Sequence, residues 1–147
     1  MSIRGARVPA LALLLAAAVA HAQAPPRANT LVHATAARVS VRAGAKATAH
    51  VRLEVLRGWH IYSNPPALDY NIPTVVALAP GFGVHADAPG YPRGRLEKVA
   101  GDDQPMAVYD STTNVALPLS ASAGAVNGTH VLRGTVRYQA CNDQMCL

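Results

Sequence analysis

The feature that most restricts the fold of this chain is a period of two in its apolar residues. Val51, Leu53 and Val55 alternate with Arg52 and Glu54, which places the aliphatic side chains on one face of an extended strand. A helical period of 3.6 is not sustained for three turns anywhere after the first 22 residues. The sequence therefore predicts an all-β domain.

Turn signals divide the rest of the chain into further short strands. The candidate segments are residues 58–62, 74–78, 82–86, 109–120 and 129–140. Asn127-Gly128 is typical of a type I′ turn, so the last two segments are expected to form a hairpin. Residues 89–106 are rich in Gly, Pro and charge and predict a long surface loop. About seven strands in this length favour an immunoglobulin-like antiparallel β-sandwich, with a small barrel as the alternative.

The N-terminus has the pattern of an export signal. Arg4 and Arg7 precede an apolar run over residues 8–20, and Ala20-His21-Ala22 matches a small-x-small cleavage site. The run is too short for a membrane span of about 20 residues. We therefore expect a signal peptide over residues 1–22, a periplasmic mature chain and no membrane span after cleavage. An uncleaved membrane anchor is the alternative.

The mature chain is expected to be one domain with a mild positive charge. Residues 23–29 contain two prolines and predict a flexible leader, which leaves residues 30–147 for the domain. The whole chain has 13 Lys and Arg against 8 Asp and Glu. These basic residues are scattered, and Arg93, Arg95 and Lys98 form only a small cluster, interpreted as a solvated loop. No nucleic-acid partner is expected.

Two cysteines close together near the end of the sequence carry the candidate chemistry. Cys141 follows a predicted strand, and a polar turn of four residues separates it from Cys146. An exported protein meets an oxidising environment, so a disulfide is expected. A bridge over so short a loop adds little unfolded-state constraint, and an exposed bridge is suited to thiol–disulfide exchange. An inert structural bridge and a Cu(I) site that also uses Met145 and a histidine remain alternatives.

A resemblance to a known family adds to this interpretation. Residues 138–147, Tyr-Gln-Ala-Cys-Asn-Asp-x-x-Cys-Leu, resemble the cysteine motif of the N-terminal periplasmic domain of the thiol:disulfide interchange protein DsbD and its relatives. Weaker similarities follow in the same order upstream, at residues 58–62, 90–92, 108–109 and 117–119. The resemblance thus extends over nearly the whole mature chain.

The resemblance implies a relay of electrons through Cys141 and Cys146 as the catalytic pair. Such domains accept electrons from a thioredoxin-like donor domain and pass them to periplasmic disulfide isomerases or other thioredoxin-like acceptors, in processes that include cytochrome c maturation. No cofactor and no metal are expected. Relatives continue beyond the second cysteine into a further strand, so the C-terminal strand is expected to be truncated at Leu147 and the reactive tip to be frayed.

The resemblance also assigns residues around the pair. His60 and Tyr62 share one face of their strand and are the candidates for lying beside the cysteines, whereas Trp59 is assigned to the core. In the family a cap loop shields the pair and moves aside for a partner. Residues 91–106 occupy that place here, with Tyr91, Asp102 and Asp103 as candidate cap residues, although solvated loop charges are the alternative for the two carboxylates.

Overall fold

The computed structural model describes residues 26–98 and 103–147. The predicted signal peptide, residues 1–22, lies outside the described residues, and so do residues 23–25 of the predicted leader and Asp102. In the described part of the leader, Ala28–Thr30 forms a short 3-10 helix. Within the two described ranges, no helix has the length and apolar character needed to cross a membrane.

The described part of the chain contains ten β-strands, which confirms the all-β prediction. They are β1 (Val32–Ala36), β2 (Lys46–Val55), β3 (His60–Tyr62), β4 (Val75–Leu78), β5 (Val84–Ala86), β6 (Arg95–Glu97), β7 (Met106–Tyr109), β8 (Thr112–Ala121), β9 (Gly134–Arg137) and β10 (Ala140–Cys141).

The strands form two four-stranded antiparallel sheets and a ribbon. The first sheet has the order β1-β2-β8-β5, the second has the order β10-β3-β7-β6, and β4 pairs with β9. Residues of all three contribute to one hydrophobic core. The immunoglobulin-like β-sandwich predicted from the sequence is confirmed, and the alternative of a small barrel is wrong because the strands form separate sheets.

The period of two in β2 and β8 explains the first sheet. Val51 lies opposite Val115 in the antiparallel register, and both side chains are buried on the inner face together with Leu53. Each such aliphatic side chain contributes roughly 1.5–3 kcal/mol when it leaves water. Arg52 and Glu54 point outward and form an ion pair at 2.6 Å. The alternation therefore fixes which face of the sheet meets the core.

The second sheet buries side chains on both of its faces. Ile61, Tyr109 and Ala140 point inward and belong to the main core. The alternate positions point outward and form a second apolar cluster, which we call the cysteine cluster. Its members are Tyr62, Met106, Val108 and Cys141, with Leu68 packed against them. The strand period thus places one cysteine on the outer face of this sheet.

The hairpin predicted at Asn127-Gly128 is wrong. Gly128 does have a positive φ of 116°, but β8 has already ended at Ala121, and the next strand, β9, pairs with β4 instead. The reason is that β8 is paired with β2 on one side and β5 on the other. A central strand has no free edge, so the returning chain must join another strand.

The long loop predicted for residues 89–106 is interrupted by an edge strand. β6 pairs with β7, and Gly94 just before it lies close to Ser63 and Val108. Arg95 in this strand forms ion pairs with Asp110 at 2.5 Å and with Glu97 at 2.8 Å. β6 has only three residues, and two of them are charged. So short a segment shows too little alternation to be distinguished from a loop in the sequence.

Candidate redox site at the disulfide hairpin

Cys141 and Cys146 form a disulfide across a tight hairpin. Their Cα atoms are 4.0 Å apart, and the two residues are antiparallel bridge partners. Beyond them, Ala140 and Leu147 exchange two backbone hydrogen bonds at 3.0 and 2.8 Å. The hairpin is therefore paired on the far side of the bridge, and the frayed tip expected from the sequence is not observed.

The turn between the cysteines is organised by Asn142. Its side-chain oxygen accepts hydrogen bonds from the backbone N–H groups of Gln144 at 2.9 Å and Met145 at 2.8 Å. Its own N–H donates to the carbonyl of Met145 at 2.9 Å. Asn is favoured in such turns because its short side chain can replace a backbone acceptor. The local sequence thus brings the two sulfur atoms together.

The two cysteines differ sharply in exposure. Cys141 is 1% exposed and lies within the cysteine cluster, whereas Cys146 is exposed. Leu68, from the segment between β3 and β4, packs against that cluster. The bridge therefore joins an exposed residue to a buried one.

Tyr62 contacts the buried sulfur directly. Its hydroxyl lies 3.5 Å from Sγ of Cys141. A disulfide sulfur carries no proton, so in this state the hydroxyl is the donor and the sulfur the acceptor. The same hydroxyl is placed to donate to a thiolate at Cys141 when the bridge opens.

His60 lies beside Tyr62 on the outer face of the second sheet. It is the register partner of Cys141, and its ring meets that of Tyr62 edge-on with centroids 5.9 Å apart. The residue is only 8% exposed. Among the described residues, no hydrogen-bond partner is found for its Nε2 atom. The structure thus brings both residues proposed from the sequence next to the buried cysteine.

The electrostatic environment of His60 combines burial with acidic neighbours. Burial lowers the pKa of His60 below its ordinary value of 6.5. The carboxylates of Glu97, Asp143 and Asp110 offset part of this effect, and Arg95 adds to it. The imidazole is consequently neutral at pH 7.

The candidate cap residues are not among the described members of the cysteine cluster. Tyr91 packs against the main core, and its hydroxyl accepts a hydrogen bond from the N–H of Val76 at 2.9 Å. Asp103 is exposed at the start of the second described range, and Asp102 is not described. Trp59 is buried in the main core, as the alternation predicted.

Sequence reasoning missed several residues that surround Cys141. Leu68 lies in a segment without periodicity, and Met106 ends another such segment. Val108 was predicted to lie in a strand but was not predicted to lie near Cys141. The apolar character of Leu68 and Met106 was the one available signal. In residues 26–98 and 103–147, no group of three or more His, Cys, Asp or Glu side chains is arranged to hold a metal ion.

Two comparisons with known proteins gave a match to this chain. The family model for the N-terminal domain of the thiol:disulfide interchange protein DsbD matches residues 27–147. The solved reduced form of the DsbD N-terminal domain from Neisseria meningitidis shares 22% identity with this chain. That match covers 71% of this chain and 72% of the other, with a TM-score of 0.44. No curated protein matches the chain.

Proposed function

This chain belongs to the family of N-terminal domains of the thiol:disulfide interchange protein DsbD, a family of periplasmic thiol–disulfide exchange domains, and we propose that it relays electrons through Cys141 and Cys146. In this proposal a thioredoxin-like donor reduces the bridge. The resulting dithiol then reduces a periplasmic disulfide isomerase or another thioredoxin-like acceptor.

The observation that carries the proposal is the asymmetry of the bridge. Cys146 is an exposed residue of the hairpin, whereas Cys141 is buried in the cluster that includes Tyr62 and against which Leu68 packs. Exchange proceeds by attack of a thiolate on one sulfur while the other departs. An exposed sulfur joined to a shielded one directs that attack to a single atom, which a static bridge does not require.

The first half-reaction starts with a donor thiolate that attacks Sγ of Cys146. The bond between Cys146 and Cys141 breaks, and its electron pair leaves on Cys141 as a thiolate. The Tyr62 hydroxyl, 3.5 Å from that sulfur, donates a hydrogen bond to the new charge. The donor is now joined to Cys146 by a mixed disulfide.

Completion of the reaction transfers two electrons. The second thiolate of the donor attacks the donor's own sulfur in the mixed disulfide and releases Cys146. Protons from solvent convert both cysteines to thiols. The donor leaves as a disulfide, and the reverse sequence, with Cys146 attacking an acceptor disulfide, returns the domain to its bridged form.

The proposed compartment is the periplasm. It is supported by the export pattern of residues 1–22, with expected cleavage after Ala22. Disulfides persist in that oxidising space. We propose that the mature protein acts there as a domain that does not itself cross the membrane.

The test is to trap the mixed disulfide with two matched single-cysteine variants. Cys141→Ser retains the exposed thiol and Cys146→Ser retains the buried one. Each is activated with a thionitrobenzoate group and mixed with a reduced thioredoxin-like periplasmic domain that lacks its second cysteine. We expect the Cys141→Ser protein to form the covalent adduct at least about tenfold faster, because its sulfur is accessible.

Two results are decisive against the proposal. One is the lack of an adduct with either variant under conditions in which a known relay domain gives one. The other is an unreactive bridge in the unmodified protein, with a reduction potential below about −300 mV, as is typical of structural disulfides. Circular dichroism of both variants controls for correct folding.

A further inference from the structure

One buried polar atom beside the disulfide lacks a partner in the bridged protein. His60 is 8% exposed, and no hydrogen-bond partner for its Nε2 atom is found in the part of the chain that the structure describes. The atom itself has less than 1 Å² of accessible surface, so neither bulk solvent nor a docking protein reaches it. Buried polar atoms are nearly always paired, and leaving one unpaired is unfavourable. A partner for Nε2 must therefore come from inside the domain.

His60 and Cys141 lie directly opposite each other on neighbouring strands. They are register partners of the antiparallel pair β3 and β10, and such partners have Cβ atoms about 4.5–5.5 Å apart. The ring of His60 also meets that of Tyr62 edge-on, and the hydroxyl of Tyr62 lies 3.5 Å from Sγ of Cys141. The imidazole and the buried sulfur are therefore neighbours on one face of the sheet.

The bridge prevents this sulfur from serving as a donor to His60. A disulfide sulfur carries no proton, and the bond to Cys146 fixes its position. Opening of the bridge gives Cys141 a proton and frees its side chain to rotate between staggered rotamers. A thiol can donate to an unprotonated ring nitrogen. The open state thus contains a donor that the bridged state lacks.

We propose that Nε2 of His60 accepts a hydrogen bond from the thiol of Cys141 in the open state only, and that this gain of a partner raises the reduction potential of the bridge. Two electrons and two protons convert the bridge into two thiols, and the proton on Sγ of Cys141 is directed to Nε2. The buried nitrogen is unpaired before reduction and paired after it, so reduction is favoured. This inference rests on the proposed exchange function and adds to it a residue that tunes how readily the pair is reduced.

The charge state of His60 suits this role. Burial lowers its pKa, so at pH 7 the ring is neutral and one of its nitrogens is unprotonated. The carboxylates of Glu97, Asp143 and Asp110 oppose this effect and Arg95 supports it. With the hydrogen on Nδ1, Nε2 is the acceptor. A protonated ring has no acceptor, so the effect belongs to neutral pH.

The test measures the equilibrium between bridge and dithiol in the parent and in His60→Phe, which keeps an aromatic ring. Each protein is equilibrated at pH 7 with mixtures of glutathione and its disulfide, and the bridged fraction is determined by acid quench, thiol labelling and mass spectrometry. We expect the equilibrium constant for reduction to fall about tenfold in His60→Phe, because the unpaired nitrogen is lost from the bridged state and its hydrogen bond from the open state. A tenfold change corresponds to a potential about 30 mV lower.

His85→Phe is the matched control. His85 belongs to β5 in the first sheet, and its side chain is 57% exposed. The same substitution at this position should leave the equilibrium constant within about twofold of the parent value. Circular dichroism of both variants controls for correct folding.

Nitrogen-15 NMR of the imidazole is a second measurement that needs no change at His60. In the bridged parent, the Nε2 resonance should be that of an unprotonated nitrogen without a hydrogen bond, and reduction should move it to the position of a hydrogen-bonded one. Cys146→Ala keeps the thiol of Cys141 and should show the reduced-state position. Cys141→Ala removes the proposed donor and should show the bridged-state position.

The outcomes distinguish this inference from the exchange function. If the equilibrium constant is the same in the parent and in His60→Phe, or if reduction does not move the Nε2 resonance, the role of His60 is overturned and exchange stands. A resonance that is already hydrogen-bonded in the bridged state would identify a buried water as the partner and would overturn it too. Failure of the exchange function is seen instead in the trapping of mixed disulfides, in which His60 is unchanged.

Discussion

Tyr62 and His60 are two residues apart on one strand face, and they lie differently against the disulfide. Tyr62 touches the sulfur of Cys141 through its hydroxyl. His60 is the register partner of Cys141, and no partner for its buried Nε2 atom is found among the described residues. In the proposed exchange reaction the Tyr62 hydroxyl stabilises the leaving sulfur.

Replacement of Tyr62 by Phe should slow the opening of the bridge. The ring that packs in the cysteine cluster is retained, but the hydrogen bond to the departing sulfur is lost, at a cost of about 1 kcal/mol or somewhat more. We expect the rate of reduction by dithiothreitol to fall about three- to tenfold. Tyr70→Phe is the control, since Tyr70 is 69% exposed. Equal rates in parent and Tyr62→Phe would contradict the role given to the hydroxyl.

His60 should make the stability of the domain depend on pH. Its pKa is lowered by burial in the folded state, so below about pH 6.5 the unfolded chain binds the proton first and the free energy of unfolding falls as the pH falls. The contribution is fully present above pH 6.5 and is lost on acidification. We expect His60→Phe to flatten this slope in urea unfolding between about pH 7.5 and about pH 5.

The control for this titration is Tyr62→Phe, which alters the same strand face and removes no imidazole. It should keep the parent's pH slope. If His60→Phe and the parent lose the same free energy between the two pH limits, the slope arises from other groups.

The residues beside the bridge show what a sequence can reveal at this scale. His60 and Tyr62 could be assigned to one face and Trp59 to the other because a strand alternates strictly. Leu68 and Glu97 could not be placed near the cysteines, since their segments have no period that indicates a face. Contacts between distant, irregular segments depend on the tertiary fold.

At the scale of elements, the edge strand β6 brings Glu97 into the vicinity of His60. Gly94 precedes it, and a Cβ atom built there would lie 2.6 Å from Cβ of Ser63 and 2.9 Å from the backbone nitrogen of Val108. Neither atom is the mobile end of a flexible side chain. The close approach of β6 to β7 therefore requires glycine at this position.

Gly94→Ala should destabilise the domain by about 1–3 kcal/mol, the range for overpacking a site that cannot yield. Urea denaturation measures the change. Gly124→Ala is the matched control, because a Cβ atom there meets nothing within 4 Å. A loss of less than about 0.5 kcal/mol for Gly94→Ala would show that the strand can shift to accept a methyl group.

The strand partners were harder to predict than the strands themselves. Alternation located β2 and β8 because each runs for ten residues with one buried face. The turn signal at Asn127-Gly128 gave the wrong partner for β9, because it says nothing about whether the edge of the preceding strand is free. Pairing is a property of the whole sheet, and local patterns do not contain it.

At the scale of the whole molecule, the disulfide is separate from the structure that holds the sandwich together. Neither cysteine belongs to the main core, which is built from the inner faces of both sheets. Cys141 belongs to the outer cluster, and Cys146 is exposed. A domain that relays electrons must keep one fold in its bridged and open states, and this arrangement meets that requirement.

Reduction should therefore lower the free energy of unfolding without unfolding the domain. A bridge that closes a loop of only six residues is worth about 2 kcal/mol in chain entropy, against a typical total of about 5–15 kcal/mol. Urea denaturation with and without a phosphine reductant measures the difference. In the double variant Cys141→Ala with Cys146→Ala, the reductant should leave the free energy of unfolding unchanged. If the reduced protein were unfolded in buffer, the bridge would be required for folding. A pair that opens during exchange cannot be required in that way.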